Sequence, residues 1–189
     1  MVNKLALTAG SLVLDVAAGT GSITRLMQSD AIDVVSIDQS EEMVRIAAQQ
    51  GAIAVIATAE RLPFRDDTFD GVTFGYLLRY VDDVSGCLKE LVRVARPGGM
   101  MGMVEFGRPT GVWRVPWWVY TRAVLPVVGS VIGSGWWQVG RFLGPSIDSF
   151  TNSYPPDRMA AEWTSVGIDG VDYRSMSLGG GLVMWGRRK

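Results

Sequence analysis

Between Leu12 and Gly21 the chain reads Leu-Val-Leu-Asp-Val-Ala-Ala-Gly-Thr-Gly, and few folds accommodate such a run. Leu12, Val13 and Leu14 form a short apolar stretch that reads as a buried strand. Asp15 interrupts it. Ala17, Ala18, Gly19 and Gly21 then leave almost no side chain before a helical pattern starts near Ser22. A strand that turns this tightly into a helix brings bare backbone and a helix N-terminus up to a ligand. The spacing Asp-x-Ala-x-Gly-x-Gly lacks the third glycine of the dinucleotide fingerprint, because Thr24 stands where glycine or alanine is needed. A Gly-rich turn in an unrelated α/β domain is the plain alternative.

The following residues support the ligand reading. Ser22 to Gln28 reads as a helix with Ile23, Leu26 and Met27 on one face. Asp33 to Ile37 reads as a second strand ending in Asp38. Ser40 with Glu41 and Glu42 reads as an N-cap and an acidic first turn of a helix to about Gln50. Ala52 to Ala57 is a third strand. This βαβαβ order predicts a doubly wound, parallel sheet with its ligand at the C-terminal strand ends. Asp38 lies 23 positions after Asp15, at a strand end, where a carboxylate can accept both hydroxyls of a ribose. As a plain helix N-cap acid it would need no ligand.

Several chemistries are excluded by composition. The chain has no histidine, which rules out Ser-His-Asp and Cys-His mechanisms and argues against a catalytic zinc; no metal site is expected. A net charge of −1 gives no reason to expect nucleic-acid binding. Cys87 is the single cysteine, so an internal disulfide cannot form, and no secretory leader pattern is visible. The expected location is the cytoplasm, with membrane association on its cytoplasmic face left open. At 189 residues one domain is expected.

Residues 58–70 read as a polar loop, Gly71 to Gly75 as a strand, and Val84 to Ala95 as an amphipathic helix stopped by Arg96-Pro97-Gly98-Gly99. Met100 to Phe106 is another strand. From Phe106 to Pro155 the α/β alternation lapses, and five of the seven tryptophans fall between Trp113 and Trp137. The uncharged run 123–140 contains Pro126, four glycines, two serines and Gln138, and does not read as a membrane-spanning helix. Tryptophans interleaved with Arg114, Arg122 and Arg141 suit a cap over an apolar pocket, a membrane-surface contact or a buried helical subdomain. A last helix, Arg158 to Val166, precedes two strands, Val171 to Met176 and Leu182 to Gly186. Arg187-Arg188-Lys189 reads as a solvated tail.

The first motif resembles that of class I S-adenosylmethionine (SAM) methyltransferases. Ala59-Glu60-Arg61-Leu62-Pro63-Phe64, Asp67-Thr68-Phe69-Asp70, Arg93 to Gly99 and Val104-Glu105-Phe106 follow it in order. Together they resemble the ubiquinone/menaquinone-biosynthesis C-methyltransferase family (UbiE/MenG type, methyltransferase type 11). The resemblance implies a Rossmann-like seven-stranded sheet with an antiparallel last strand and a helical cap at 107–154. It implies SAM as cofactor and methylation of a lipophilic acceptor, a demethylated mena- or ubiquinol above all. Another lipophilic metabolite, a phospholipid amine or SAM binding without catalysis are the alternatives. The implied cofactor residues are Asp15, Ala17, Gly19, Thr20, Gly21, Asp38, Gln39, Met43, Thr58, Ala59, Glu60 and Phe74. Arg79, Tyr76 and Tyr80 are the catalytic candidates, Arg79 to stabilise a phenolate; a surface ion pair with Asp82 or Asp83 is its plain alternative. Trp113, Trp117, Tyr120, Trp136, Trp137 and Asp148 are the candidate substrate pocket. Peripheral membrane contact and a homodimer are further options.

Three departures stand out. About ten residues precede the first motif, so the family's N-terminal lid is expected to be shortened or absent. Thr58 replaces an acid expected to meet the adenine. Tyr80 replaces the asparagine after Arg79.

Overall fold

In a computed structural model that describes residues 1–132 and 136–189, the apolar runs become strands of one sheet. Strand β1 is Leu12–Val16, β2 Asp33–Asp38, β3 Ile53–Ile56, β4 Phe69–Gly75 and β5 Ala95–Phe106. Strands β6, Ile168–Met176, and β7, Gly181–Arg188, complete it. The order is β3-β2-β1-β4-β5-β7-β6, parallel through β5, with β7 antiparallel to both neighbours. Helices α1, Ser22–Ser29, and α2, Glu41–Gln49, follow β1 and β2; α3, Val84–Val94, leads into β5. The expected Ser40 cap is present, its Oγ accepting from the Met43 N–H, and Asp83 caps α3 by accepting from the Gly86 N–H.

After β5 come α4, Arg114–Val119, a π-type stretch Tyr120–Val124, and α5, Leu125–Ile132. Helix α6, Trp136–Ser153, and α7, Pro156–Ser165, precede β6. The larger core cluster includes Leu88, Leu91 and Val94 of α3, Met159 and Trp163 of α7, and Phe74 and Met101 of the sheet. A second cluster joins Val13 and Val34 to Met27 of α1 and to Val2. Here the first residues do unexpected work. Leu5 is fully buried, and a Cβ on Gly102 would lie 2.9 Å from its Cδ2. Leu7 meets Gly71 in the same way, at 3.1 Å.

Three expectations need correction. Asp15 does not interrupt β1 but stays in it, paired in register with Ser36 and Thr73, because hydroxyls answer its carboxylate. Strand β5 begins at Ala95, opposite Phe69, with Arg96–Gly99 looping out before pairing resumes at Met100. Arg188 is no solvated tail: it lies in β7 and bonds Asp67 and the carbonyls of Arg93 and Ala95.

Candidate functional site

At the C-terminal ends of β1 and β2 the backbone folds into a cradle. Ala17, Gly19 and Gly21 have φ of +54°, +55° and +80°, and Gly21 opens α1. For alanine this conformation is strained, and such strain persists where surrounding contacts fix it, often beside ligands. A Cβ on Gly19 would meet nothing within 4 Å, so it would project into open space. Asp38 binds the two loops together. Its Oδ2 accepts from the Gly19 N–H at 2.8 Å and its Oδ1 from the Ser40 N–H at 2.9 Å. Each oxygen keeps a lone pair for an incoming hydroxyl.

Beneath the cradle lies a buried polar cluster. Thr24 Oγ1 donates to Asp15 Oδ2 at 2.7 Å and Thr73 Oγ1 to Asp15 Oδ1 at 2.9 Å. Thr24 Oγ1 spends its one proton on Asp15, so Ser36 Oγ, 2.8 Å away, donates to it. Burial pushes the Asp15 carboxyl up to about 6, and the hydroxyl bonds hold it from rising further. The threonine that replaces a third glycine is thus part of the support for the loop.

The cradle borders a cavity of about 630 Å³. Of the expected cofactor residues, Ala17, Gly19, Thr20, Asp38, Gln39, Met43, Ala59 and Glu60 line it, as do Tyr76 and Tyr80. Asp15, Gly21, Thr58 and Phe74 do not. Asp15 lies under the loop, and Gly21 turns toward Ala47 and Thr24. Thr58 pairs with Arg61, and Phe74 is buried 5.8 Å, ring to ring, from Trp163. Strand alternation turns Phe74 into the core. Ala18, Ile37, Ala57, Leu77 and Val81, not among the expected set, complete much of the wall. Ala18 belongs to the bare turn of the first motif and Ile37 and Ala57 lie at strand ends, whereas Leu77 and Val81, beyond β4, carried no such signal. Tyr76, like Ala17, has a left-handed backbone, φ +56°.

Arg79 is no surface residue and has no partner in Asp82 or Asp83. Its Nε donates to Glu105 Oε1 at 2.9 Å with both side chains buried, and its Nη1 donates to Ser146 of α6 at 3.2 Å. The guanidinium lies 4.9 and 5.0 Å from the Tyr80 and Phe106 ring centres. Burial raises the Glu105 carboxyl, against the pull of Arg79. An acid inside the apolar strand Met100 to Phe106 was the signal for such a pair, since a buried carboxylate needs a partner. Arg79 lines a second cavity, of about 570 Å³, with Phe142, Ser149 and Phe150; Val81 is common to both cavities.

The expected substrate pocket is not assembled. Trp113, Tyr120 and Trp137 are exposed, Trp117 packs near Gly180, and Asp148 pairs with Arg122 at 2.8 Å. None of them lines either cavity. Trp136 begins α6, and its side chain lies outside the described residues. The reason is how the helices meet. Small residues make the contact, with Gly144 of α6 against Thr121, and Trp113, Tyr120 and Trp137 are left exposed.

The residues present fit the nucleoside part of S-adenosylmethionine. A carboxylate stands where ribose hydroxyls would lie, bare backbone faces an open cradle, and Met43 and Ala59 offer apolar surface. The model of the ubiE/COQ5 methyltransferase family matches residues 1–187. A demethylmenaquinone methyltransferase of Renibacterium salmoninarum is 35% identical over 189 residues, covering 97% of this chain and 76% of that protein. A ubiquinone/menaquinone biosynthesis C-methyltransferase UbiE of Geotalea daltonii is 30% identical over 199 residues, covering 99% and 83%. Among solved structures, a SAM-dependent methyltransferase of Thermotoga maritima superposes with TM-score 0.69 at 19% identity, covering 98% of this chain and 85% of that one. That likeness concerns the fold.

Proposed function

We propose that this chain, which belongs to the ubiE/COQ5 methyltransferase family, methylates a ring carbon of a demethylated mena- or ubiquinol. It is a SAM-dependent methyltransferase, and the names of its relatives support a quinone precursor as acceptor. The observation that carries the cofactor assignment is Asp38, held by Gly19 and Ser40 at the mouth of the cavity. In this reading Asp38 takes the ribose hydroxyls, Gly19 and Thr20 face the amino-acid end, and Met43, Ala59 and Glu60 surround the base. When bound, the cofactor supplies a methyl group activated on a sulfonium. The protein's task is to align the acceptor carbon behind that methyl and exclude water.

The second cavity is the acceptor's place in this reading. Phe142 and Phe150 give it apolar surface, and Arg79 gives it a buried cation. A cation beside a phenol lowers its pKa and favours the phenolate, whose ring carbon is the better nucleophile. Tyr80, stacked on Phe142 and bordering the first cavity, and Tyr76 are the candidates for passing the proton to solvent. The cap helices, 107–154, bring such an acceptor from a membrane surface.

Calorimetric titration with SAM, S-adenosylhomocysteine and NAD tests the cofactor half. Asp38→Ala should weaken SAM binding by roughly 10- to 100-fold, the worth of hydrogen bonds to a charged group. Preference for NAD, or no effect of Asp38→Ala, would refute it. Arg79→Ala should leave SAM affinity near wild type while lowering turnover on a short-chain demethylquinol by roughly tenfold or more.

A further inference from the structure

The outer side of the cap carries an apolar face that no described residue covers. Val112, Val115, Trp118, Val119, Val127 and Val128 are all exposed, Val112 by 82% and Val115 by 68%. The inner side is already used: Thr121 is buried, and a Cβ on Gly144 would stand 3.1 Å from its Cβ. A helix with one packed side ordinarily turns charged and polar residues outward. This one turns out valine and tryptophan.

Charge decides what could cover it. Every charged residue from Phe106 to Ile147 is an arginine, namely Arg108, Arg114, Arg122 and Arg141, in a chain whose net charge is −1. Asp148 lies 2.8 Å from Arg122 and 4.0 Å from Arg108. Arg114 and Arg141 are exposed and form no ion pair among the described residues; Arg141 lies 5.5 Å from the Trp137 ring centre. A second copy seated by a twofold axis would set this face, and its arginines, against themselves, with Asp148 already engaged. An anionic bilayer surface reverses that sign and accepts aliphatic and tryptophan side chains at the headgroup boundary.

We propose that the outer face of residues 111–130, which carries Arg114, is a docking surface for an anionic lipid bilayer. The contact lies in the plane of the membrane, since among the described residues no helix is long and apolar enough to cross one. It gives the lipid source that the quinol reading requires, but stands on this surface alone and is tested without any methyl transfer.

The test is co-sedimentation of the full chain with vesicles of phosphatidylcholine alone or mixed with phosphatidylglycerol. Binding should favour the anionic vesicles by roughly tenfold or more and weaken with added salt. Arg114→Ser should weaken it by about fivefold, and Val115→Glu with Trp118→Glu should abolish it. An unchanged SAM titration shows that each variant is folded, and the Arg114 change decides the matter should the glutamate pair not fold. Failure to sediment, or equal binding to both vesicles, would overturn the proposal. So would a concentration-dependent dimer that Val115→Glu dissolves, because a second copy would then be the occupant.

Discussion

The side chains of Arg79 and Glu105 are 2% and 1% exposed and joined at 2.9 Å, while the second carboxylate oxygen of Glu105 is buried with no partner among the described residues. Deleting the carboxylate leaves a guanidinium among Tyr80, Phe106 and Ser146 with no counter-charge. Breaking a buried pair in this way costs about 3–5 kcal/mol. For a chain of 189 residues each kcal/mol lowers the melting temperature by about 2–4 °C. Glu105→Ala should therefore melt about 6–20 °C below wild type. Glu105→Gln should fall between, because the amide oxygen can still accept from Arg79 Nε and from the Phe106 N–H that now meets Oε1 at 2.8 Å. Replacing both partners by apolar residues of similar volume, Arg79→Met with Glu105→Leu, removes the stranded charge and should recover most of the loss. Differential scanning calorimetry of wild type, Arg79→Met, Glu105→Leu and their double variant closes a double-mutant cycle. If Glu105→Ala lies within about 1 kcal/mol of wild type, or the double variant falls by the sum of the singles, the pair is solvated and the reasoning fails.

Two further outcomes follow from the site. The Asp15 carboxyl rises from 3.8 to about 6 in the folded chain, so its contribution to stability is full below pH about 4 and is lost as pH rises through about 6. Wild type should thus lose about 2 kcal/mol relative to the non-titrating Asp15→Asn between pH 4 and 7, read from urea midpoints; a flat difference would mean that the carboxylate is not desolvated. Gly144→Val places methyls against Thr121, where even a Cβ would stand 3.1 Å away, and should cost about 1–3 kcal/mol. Limited proteolysis should then cut within 107–154 while SAM affinity holds; unchanged resistance would show that the two helices are not in close contact.

The cradle was legible because its chemistry is local. Bare backbone, a strand end and an acid 23 residues on are all properties of sequence spacing, and Gly19 and Asp38 meet as that spacing implies. The partner of Arg79 was not legible in that way, because 26 residues and a helix separate it from Glu105 and only the register of β4 and β5 brings them together. The tryptophans misled for a different reason. Composition says that an aromatic segment needs apolar company, but the choice of inner face was made by Thr121 and Gly144. Leu5 and Leu7 likewise found their places through glycines on distant strands.

The order of the last two strands has a consequence for how the chain is made. Among the described residues strand β6 hydrogen-bonds to the sheet only through β7, which follows it in sequence yet lies between it and β5. A nascent chain that has emerged only as far as Met176 can close the five parallel strands, but β6 then has no neighbour to bond. Until β7 leaves the ribosomal tunnel, the edge of β5 stays open and unpaired, a template for any passing strand. Completion of the sheet, and burial of Met184 and Leu182 against the core, therefore waits on the emergence of β7.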